Sequence, residues 1–262
     1  MAKKLDKKSI LIYSLVFSPD GVSTAYLYSD LVRGFKKKGY KITVLTSTPH
    51  YNITSESLNK QPLQKKIFGF LYTSTFNGIK VYHIPLKKYK NHFIRIISFI
   101  YWNIFSFFIG LFLRRPDIIL TPSPPITNGL IAIVLAKIKG SKSVYNVQEI
   151  YPDLLINLGY LNNAVIIKIL KIIEYLVYNM SDSVTVIDNQ FYNIIKSRIR
   201  KIEKLQIIPN FVDTKLYSNK YSIPLPKEFK KKEGYTDVLY AGNIGLAQEW
   251  DLLISLAKEI TE

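Results

Sequence analysis

Apolar and polar positions along this chain fall into two alternating textures. Short apolar runs at residues 10–17, 42–45, 79–84, 117–120, 143–147, 183–187 and 206–208 read as buried strands. Between them apolar residues recur at helical spacing. The clearest stripe is Ala25, Leu27, Tyr28, Leu31, Val32 and Phe35, with Gly39 placed to close the helix as its C′ residue. Residues 128–139 ending at Gly140, 158–180 with a break near Asn162 and Asn163, and 189–200 give further helices. Such sustained alternation predicts an α/β fold, a parallel sheet with helices on both faces.

Four stretches depart from the alternation. Residues 46–78 read as a polar connection with a basic-aromatic piece at 65–72. That piece is either a membrane-docking element, Lys meeting anionic headgroups and Phe and Tyr entering the acyl boundary, or a surface loop with a few core anchors. Residues 93–113 are apolar and long enough to span a bilayer, but Arg95, Ser98, Asn103, Ser106 and Gly110 interrupt them. The favoured reading is a helix packed on the sheet, then an interfacial helix. A span comes last, because it would part the two halves of one sheet. The prolines of 121–125 argue against regular structure there, and 209–237 reads as a polar hinge.

The alternation restarts at 238–256. A short apolar run, the turn Gly242-Asn243-Ile244-Gly245, and a stripe of Leu246, Trp250, Leu253, Ile254 and Ala257 spell strand, glycine turn and helix. Glycines let the main chain pass close to a ligand, and the first N–H groups of the helix face whatever sits in the turn. Spacing alone leaves two readings open, a diphosphate site and a tight connection. One strand and one helix do not bury a core. The last unit is expected either to open a second domain or to pack on the first.

The formal net charge is +17, from 36 Lys and Arg against 19 Asp and Glu. That surplus favours polyanions, nucleotide phosphates or an anionic membrane face. The basic residues are scattered, and no zinc-finger spacing or RNP-like motif accompanies them, so no nucleic-acid partner is expected. The chain has no cysteine, which excludes disulfides, thiolate metal sites and cysteine nucleophiles and fits the cytosol. His50, His83 and His92 form no metal-ligand pattern. The N-terminal lysines and apolar run are followed by a turn at Pro19-Asp20-Gly21 with no small-residue cleavage site, so a first strand is expected rather than a secretory signal.

The segments SPDGVSTAYLYSDLVRGFKKKGYKITVLTSTPHY, TPSPPITNGLIAI, NVQEIYPDLLINLGYL, IIPNFVDTKLY and VLYAGNIGLAQEWDLLISLA occur in that order. Together they resemble family 4 glycosyltransferases of the GT-B fold, in the branch that builds O-antigen, capsule and other exopolysaccharide units. The resemblance implies two Rossmann-like domains facing across a cleft. An acceptor-binding domain would occupy 1–208, a linker 209–236, and the start of a donor-binding domain 237–262. It implies a nucleotide-sugar donor as co-substrate and a polyprenyl-diphosphate-linked or saccharide acceptor. It also implies transfer with retention, no bound metal and no further cofactor. The place of work would be the cytoplasm, peripheral at the inner face of the plasma membrane, an anionic surface.

Carried onto this sequence, Gly21 matches the first-loop glycine that approaches the donor. Gly242, Asn243 and Gly245 match the glycine turn on which the diphosphate rests. Glu149 stands where relatives often have Asp in a DLWP-like motif; it orients a sugar hydroxyl or acts as a base, or else it caps the next turn. His50 and Tyr51 would line the acceptor side, or sit as loop residues. Asn210 and Asp213 match an IPNGVD-like interdomain motif in which Phe211 replaces glycine, and their expected role is structural. The family's Glu-x7-Glu region is not reached by residue 262, so this chain alone is expected not to transfer sugar. The alternative is a non-catalytic membrane- or partner-binding module. A nucleotide-dependent epimerase ranks lower, because no GxGxxG follows the first strand and no Tyr-x3-Lys stands in a suitable place.

Overall fold

The computed structural model describes residues 8–214, 234, 239–240, 242 and 249–261. A strand covered on both faces must be apolar throughout, and β1 (Ser9–Tyr13) is buried from Ile10 to Tyr13. β2 (Lys41–Ser47) flanks it in parallel on one side, with Ile12 opposite Val44. On the far edge β3 (Gln64–Lys66) and β4 (Leu71–Phe76) are antiparallel, and β4 pairs antiparallel with β5 (Ile79–Ile84), which is parallel to β2. On the other side β6 (Ile118–Pro122), β7 (Lys142–Val147), β8 (Ser183–Val186) and β9 (Leu205–Ile207) continue in parallel. The nine strands are ordered β3-β4-β5-β2-β1-β6-β7-β8-β9.

Helices cover both faces. α1 (Ser23–Lys37) buries Tyr28 and Val32 against Ile10, Ile12, Val44 and Val81. α2 (Ser55–Lys60) is short and capped by Thr54. The opposite face carries α3 (His92–Phe112), α4 (Ile126–Lys139), α6 (Ala164–Met180) and α7 (Asn189–Lys196). α5 (Asp153–Asn157) precedes α6, and α8 is Trp250–Thr261. On α3, Trp102 is fully buried and stacks 5.6 Å from the Tyr13 ring, and the Tyr13 and Ser106 hydroxyls meet at 2.7 Å. A Cβ on Gly110 would come within 2.7 Å of Leu135 on α4, so glycine permits that helix contact.

Several expected boundaries are corrected. Residues 46–78 are more than a polar connection, for they hold α2, β3 and β4. β3 is all polar and exposed, an edge strand whose lysines discourage further pairing, and that hides it in the sequence. β6 runs into the prolines as far as Pro122, opposite Asn146; Ser123 carries the ladder on, its N–H donating to Asn146 O at 2.8 Å. The helix expected from residue 158 starts at Ala164, where the Asn163 side chain accepts from two amides, and α7 stops at Lys196. Of the restart at 238–256, Leu239, Tyr240, Gly242 and α8 are described, whereas Asn243, Gly245 and Leu246 lie outside the described residues.

His83 on β5 is buried within a chain of polar groups. Its Nδ1 donates to Ser47 O at 2.9 Å, and its Nε2 lies 2.8 Å from Ser74 Oγ. Gln61 Nε2 donates to Ser74 Oγ at 2.8 Å, and Ser18 Oγ donates to Gln61 Oε1 at 2.8 Å. Every member is satisfied only if the imidazole is neutral. Burial pushes it from the ordinary 6.5 down to about 4, against an opposing pull from the Ser47 bond. The unfolded chain then binds a proton that the folded chain refuses. Stability is intact above pH 6.5 and falls as pH drops towards 4, by about 3 kcal/mol in all. Urea midpoints of wild type and His83→Gln across this range should converge at low pH. Parallel curves would refute it.

Candidate active site

Parallel strands bring their C-terminal ends to one edge, and the loops after β1, β2, β6 and β7 meet there. The first two loops are stitched at Gly21. Its N–H donates to Tyr51 O at 2.9 Å, and its carbonyl accepts from Asn52 Nδ2 at 3.0 Å. A Cβ on Gly21 would stand 2.8 Å from Asn52 O, so this contact between loops requires glycine. The Gly21 amide is thus occupied by the neighbouring loop.

Asp20 fixes the same junction. Its Oδ1 accepts from the His50 and Tyr51 amides at 2.8 and 2.7 Å. Its Oδ2 is buried with no hydrogen-bond partner among the described residues. Burial raises its pKa, and the bonds from His50 and Tyr51 pull the other way. His50 Nδ1 lies 2.9 Å from Thr48 O, which makes that nitrogen the donor. The His50 ring rests 4.3 Å from the Tyr51 ring. Lys88 Nζ lies 5.4 Å from the centre of the Tyr51 ring. The Tyr51 hydroxyl is raised by burial and by Asp20, and Arg95 on α3 opposes that rise.

The loop after β7 carries Glu149. Ser123 Oγ anchors it, accepting from the Gln148 and Glu149 amides at 2.9 and 3.1 Å and donating to Glu149 O at 2.9 Å. Burial raises the Glu149 carboxyl, and a hydrogen bond from Tyr151 pulls it back. Tyr151 is pushed up to about 12, by burial first and then by the charge of Glu149, with a contribution from Tyr51. Glu149, Tyr151 and Tyr51 therefore share one electrostatic neighbourhood. Asn210, after β9, pairs both ways with the Gln148 side-chain amide at 2.8 and 3.0 Å. Gln148 Nε2 also donates to Asn146 Oδ1 at 2.6 Å, which accepts from Tyr28 at 3.0 Å. The same polar chain helps to line an apolar groove of about 270 Å³ between α1 and β6–β8, together with Leu31, Leu120, Val144 and Phe211.

The model of Glycosyltransferase Family 4 matches residues 25–216, most of the chain. The chain belongs to glycosyltransferase family 4. The chain is also similar to the putative colanic acid biosynthesis glycosyl transferase WcaI of Escherichia coli K12, with 21% identity over 97% of this chain. The chain spans 63% of the length of that relative. Two solved structures share the fold. The catalytic domain of starch synthase IV from Arabidopsis thaliana, bound to ADP and acarbose, superposes with a TM-score of 0.58 at 10% identity, over 82% of this chain and 54% of its own. Sucrose-phosphate synthase from Thermosynechococcus elongatus gives 0.54 at 12% identity, over 80% and 50%. The fold is the GT-B type expected from the sequence.

His50, Tyr51 and Glu149 lie inside the span matched by the family model, whereas Gly21 and the glycine turn lie outside it. The structure gathers Gly21, His50, Tyr51 and Glu149 at one edge of this family 4 sheet. Gly242 is exposed, and among the described residues the nearest atoms to a Cβ on it belong to the Tyr240 side chain, with the hydroxyl at 2.7 Å. Sequence reasoning missed Asp20, Tyr151, Lys88 and Arg95. In the sequence Asp20 is one residue of the Pro19-Asp20-Gly21 turn, and its orphaned carboxylate oxygen is visible only in three dimensions.

Proposed function

We propose that this chain works as part of a glycosyltransferase that moves a sugar from a nucleotide-sugar donor to a lipid-linked or saccharide acceptor in cell-surface polysaccharide synthesis. The supporting observation is the gathering of Glu149, Tyr151, Tyr51 and His50 at the C-terminal edge of a family 4 sheet. Residues 1–208 form the acceptor-binding domain, 209–236 the linker and 237–262 the start of the donor-binding domain. The exposed Leu252, Leu253, Leu256 and Ile260 of α8 fit a helix that belongs to a second core. ADP in the starch synthase structure and the role of WcaI in colanic acid synthesis favour a nucleotide-sugar donor and a surface polysaccharide. Transfer proceeds with retention and without a bound metal or further cofactor. The diphosphate leaves against the main chain of Gly242, Asn243 and Gly245, with Gly21 holding the facing loop. Glu149 orients an acceptor hydroxyl or takes its proton, and His50 and Tyr51 line the acceptor side. The enzyme works in the cytoplasm at the inner face of the plasma membrane.

The test is a transfer assay with the full-length protein, a panel of radiolabelled nucleotide sugars and extracted polyprenyl-diphosphate sugars, with and without EDTA. Label should move into the lipid fraction from at least one donor, unaffected by EDTA. If the folded protein neither binds nor consumes any donor in the panel, the reading fails.

A further inference from the structure

The outer face of α3 is apolar along its whole length. Phe93, Ile97, Ile100, Ile104, Phe108 and Phe112 are all exposed and fall on one stripe, about 28 Å long at the rise of an α-helix. The opposite face of the same helix is core, through Trp102 and Ser106. A helix with one face locked into the sheet is free to lie along a membrane but not to cross it without dismantling that core.

A second apolar feature stands beside it. Between β3 and β4 the chain makes a turn, Ile67–Gly69, with Ile67 and Phe68 at φ of 44° and 52°. A branched and an aromatic residue rarely adopt this left-handed conformation. The result is a Phe68 that is 95% exposed. Phe70 stacks on Phe105 of α3 with ring centres 5.9 Å apart, which fixes the turn against the flank of the helix. Lys65 and Lys66 precede the turn, both exposed. At the other end Arg95, one turn into α3, acts on Tyr51 of the candidate site, and Lys88 lies over the same ring.

We propose that α3 and the Phe68 turn form a docking face for an anionic lipid bilayer. The α3 stripe lies flat in the headgroup boundary, Phe68 inserts as a wedge, and Lys65 and Lys66 meet lipid phosphates. The charge of the whole chain, +17, complements such a surface. Docking in this pose sets the Arg95 end of α3, and with it Tyr51, at headgroup level, where the diphosphate of a lipid-carried acceptor sits. That consequence rests on the proposed function; the docking itself is measured without any sugar or donor.

The experiment is co-sedimentation of the chain with vesicles of phosphatidylglycerol and phosphatidylcholine, against phosphatidylcholine alone. Binding should need the anionic lipid and weaken at least tenfold on raising NaCl well above physiological ionic strength. The triple variant Phe68→Asp, Ile97→Asp, Ile104→Asp should bind about tenfold or more weakly while keeping the circular dichroism and melting curve of the wild type. Lys65→Glu with Lys66→Glu should weaken binding to anionic vesicles and make what remains less sensitive to salt. Equal binding by wild type and triple variant overturns the proposal. So does a concentration-dependent dimer, lost in the triple variant, with no vesicle binding, since the face would then belong to a second copy.

Discussion

Glu149→Gln in the full-length enzyme should lower kcat/KM by about two to four orders of magnitude, the usual contribution of a positioned acid–base group. The amide keeps the shape of the carboxyl and its capacity to accept from Tyr151, so folding should be unchanged. The pH profile separates a chemical role from a structural one. Glu149 works as a base only when ionised, and burial raises its pKa while the Tyr151 bond holds it down. The acid limb of the wild-type profile should therefore lie above the usual carboxylate range, with activity lost as pH falls through it. Glu149→Gln should lose that limb. Tyr151→Phe removes the bond that stabilises the ionised form, so its limb should move to higher pH. A Glu149→Gln enzyme with wild-type rate, or a Tyr151→Phe limb that moves down, would defeat the assignment.

The largest stability effect is expected at Arg198, where α5, α6 and α7 are tied together. Arg198 Nη1 donates to Glu174 at 2.6 Å, and Nη2 pairs with Asp153. Lys171 bonds Asp153 and lies 3.2 Å from Glu174. The Glu174 side chain is only 3% exposed, so it depends on these partners. Arg198→Met would leave the buried Glu174 carboxylate with only Lys171, at 3.2 Å, and the Tyr178 hydroxyl as partners among the described residues, at a cost of about 3–5 kcal/mol. The partial exposure of Arg198 favours the lower end. Against a total stability of roughly 5–15 kcal/mol this is a large fraction. Asp153 opens α5 directly after the Glu149–Tyr151 loop, so loosening the cluster should also blur the candidate site. Adding Glu174→Leu should restore most of the loss, because an apolar replacement of both partners is often neutral. Urea denaturation of the four-member cycle measures it, and additive losses would show that the pair is not coupled.

Part of the candidate site is legible in the chain. Short motifs mark Glu149 and the pair His50 and Tyr51, and each lies in the loop that follows a strand's C-terminal end, where parallel topology gathers ligand groups. They do not mark Tyr151, since its pairing with Glu149 depends on how residues 148–152 turn. Nor do they mark Asp20, because its partners are amides thirty residues away that the sheet brings beside it.

The sequence by itself determined the β–α alternation, most of the strand runs and the family. Those rest on local periodicity and short motifs, which need no distant partner. The tertiary structure alone decided which face of α3 is core and that β3 and β4 join the sheet edge. It also decided that Gly21 serves the approach of a second loop and that His83, Gln61 and Ser74 satisfy one another. Each of these depends on contacts between residues far apart in the chain, and no local pattern of apolar and polar positions encodes which distant group will arrive.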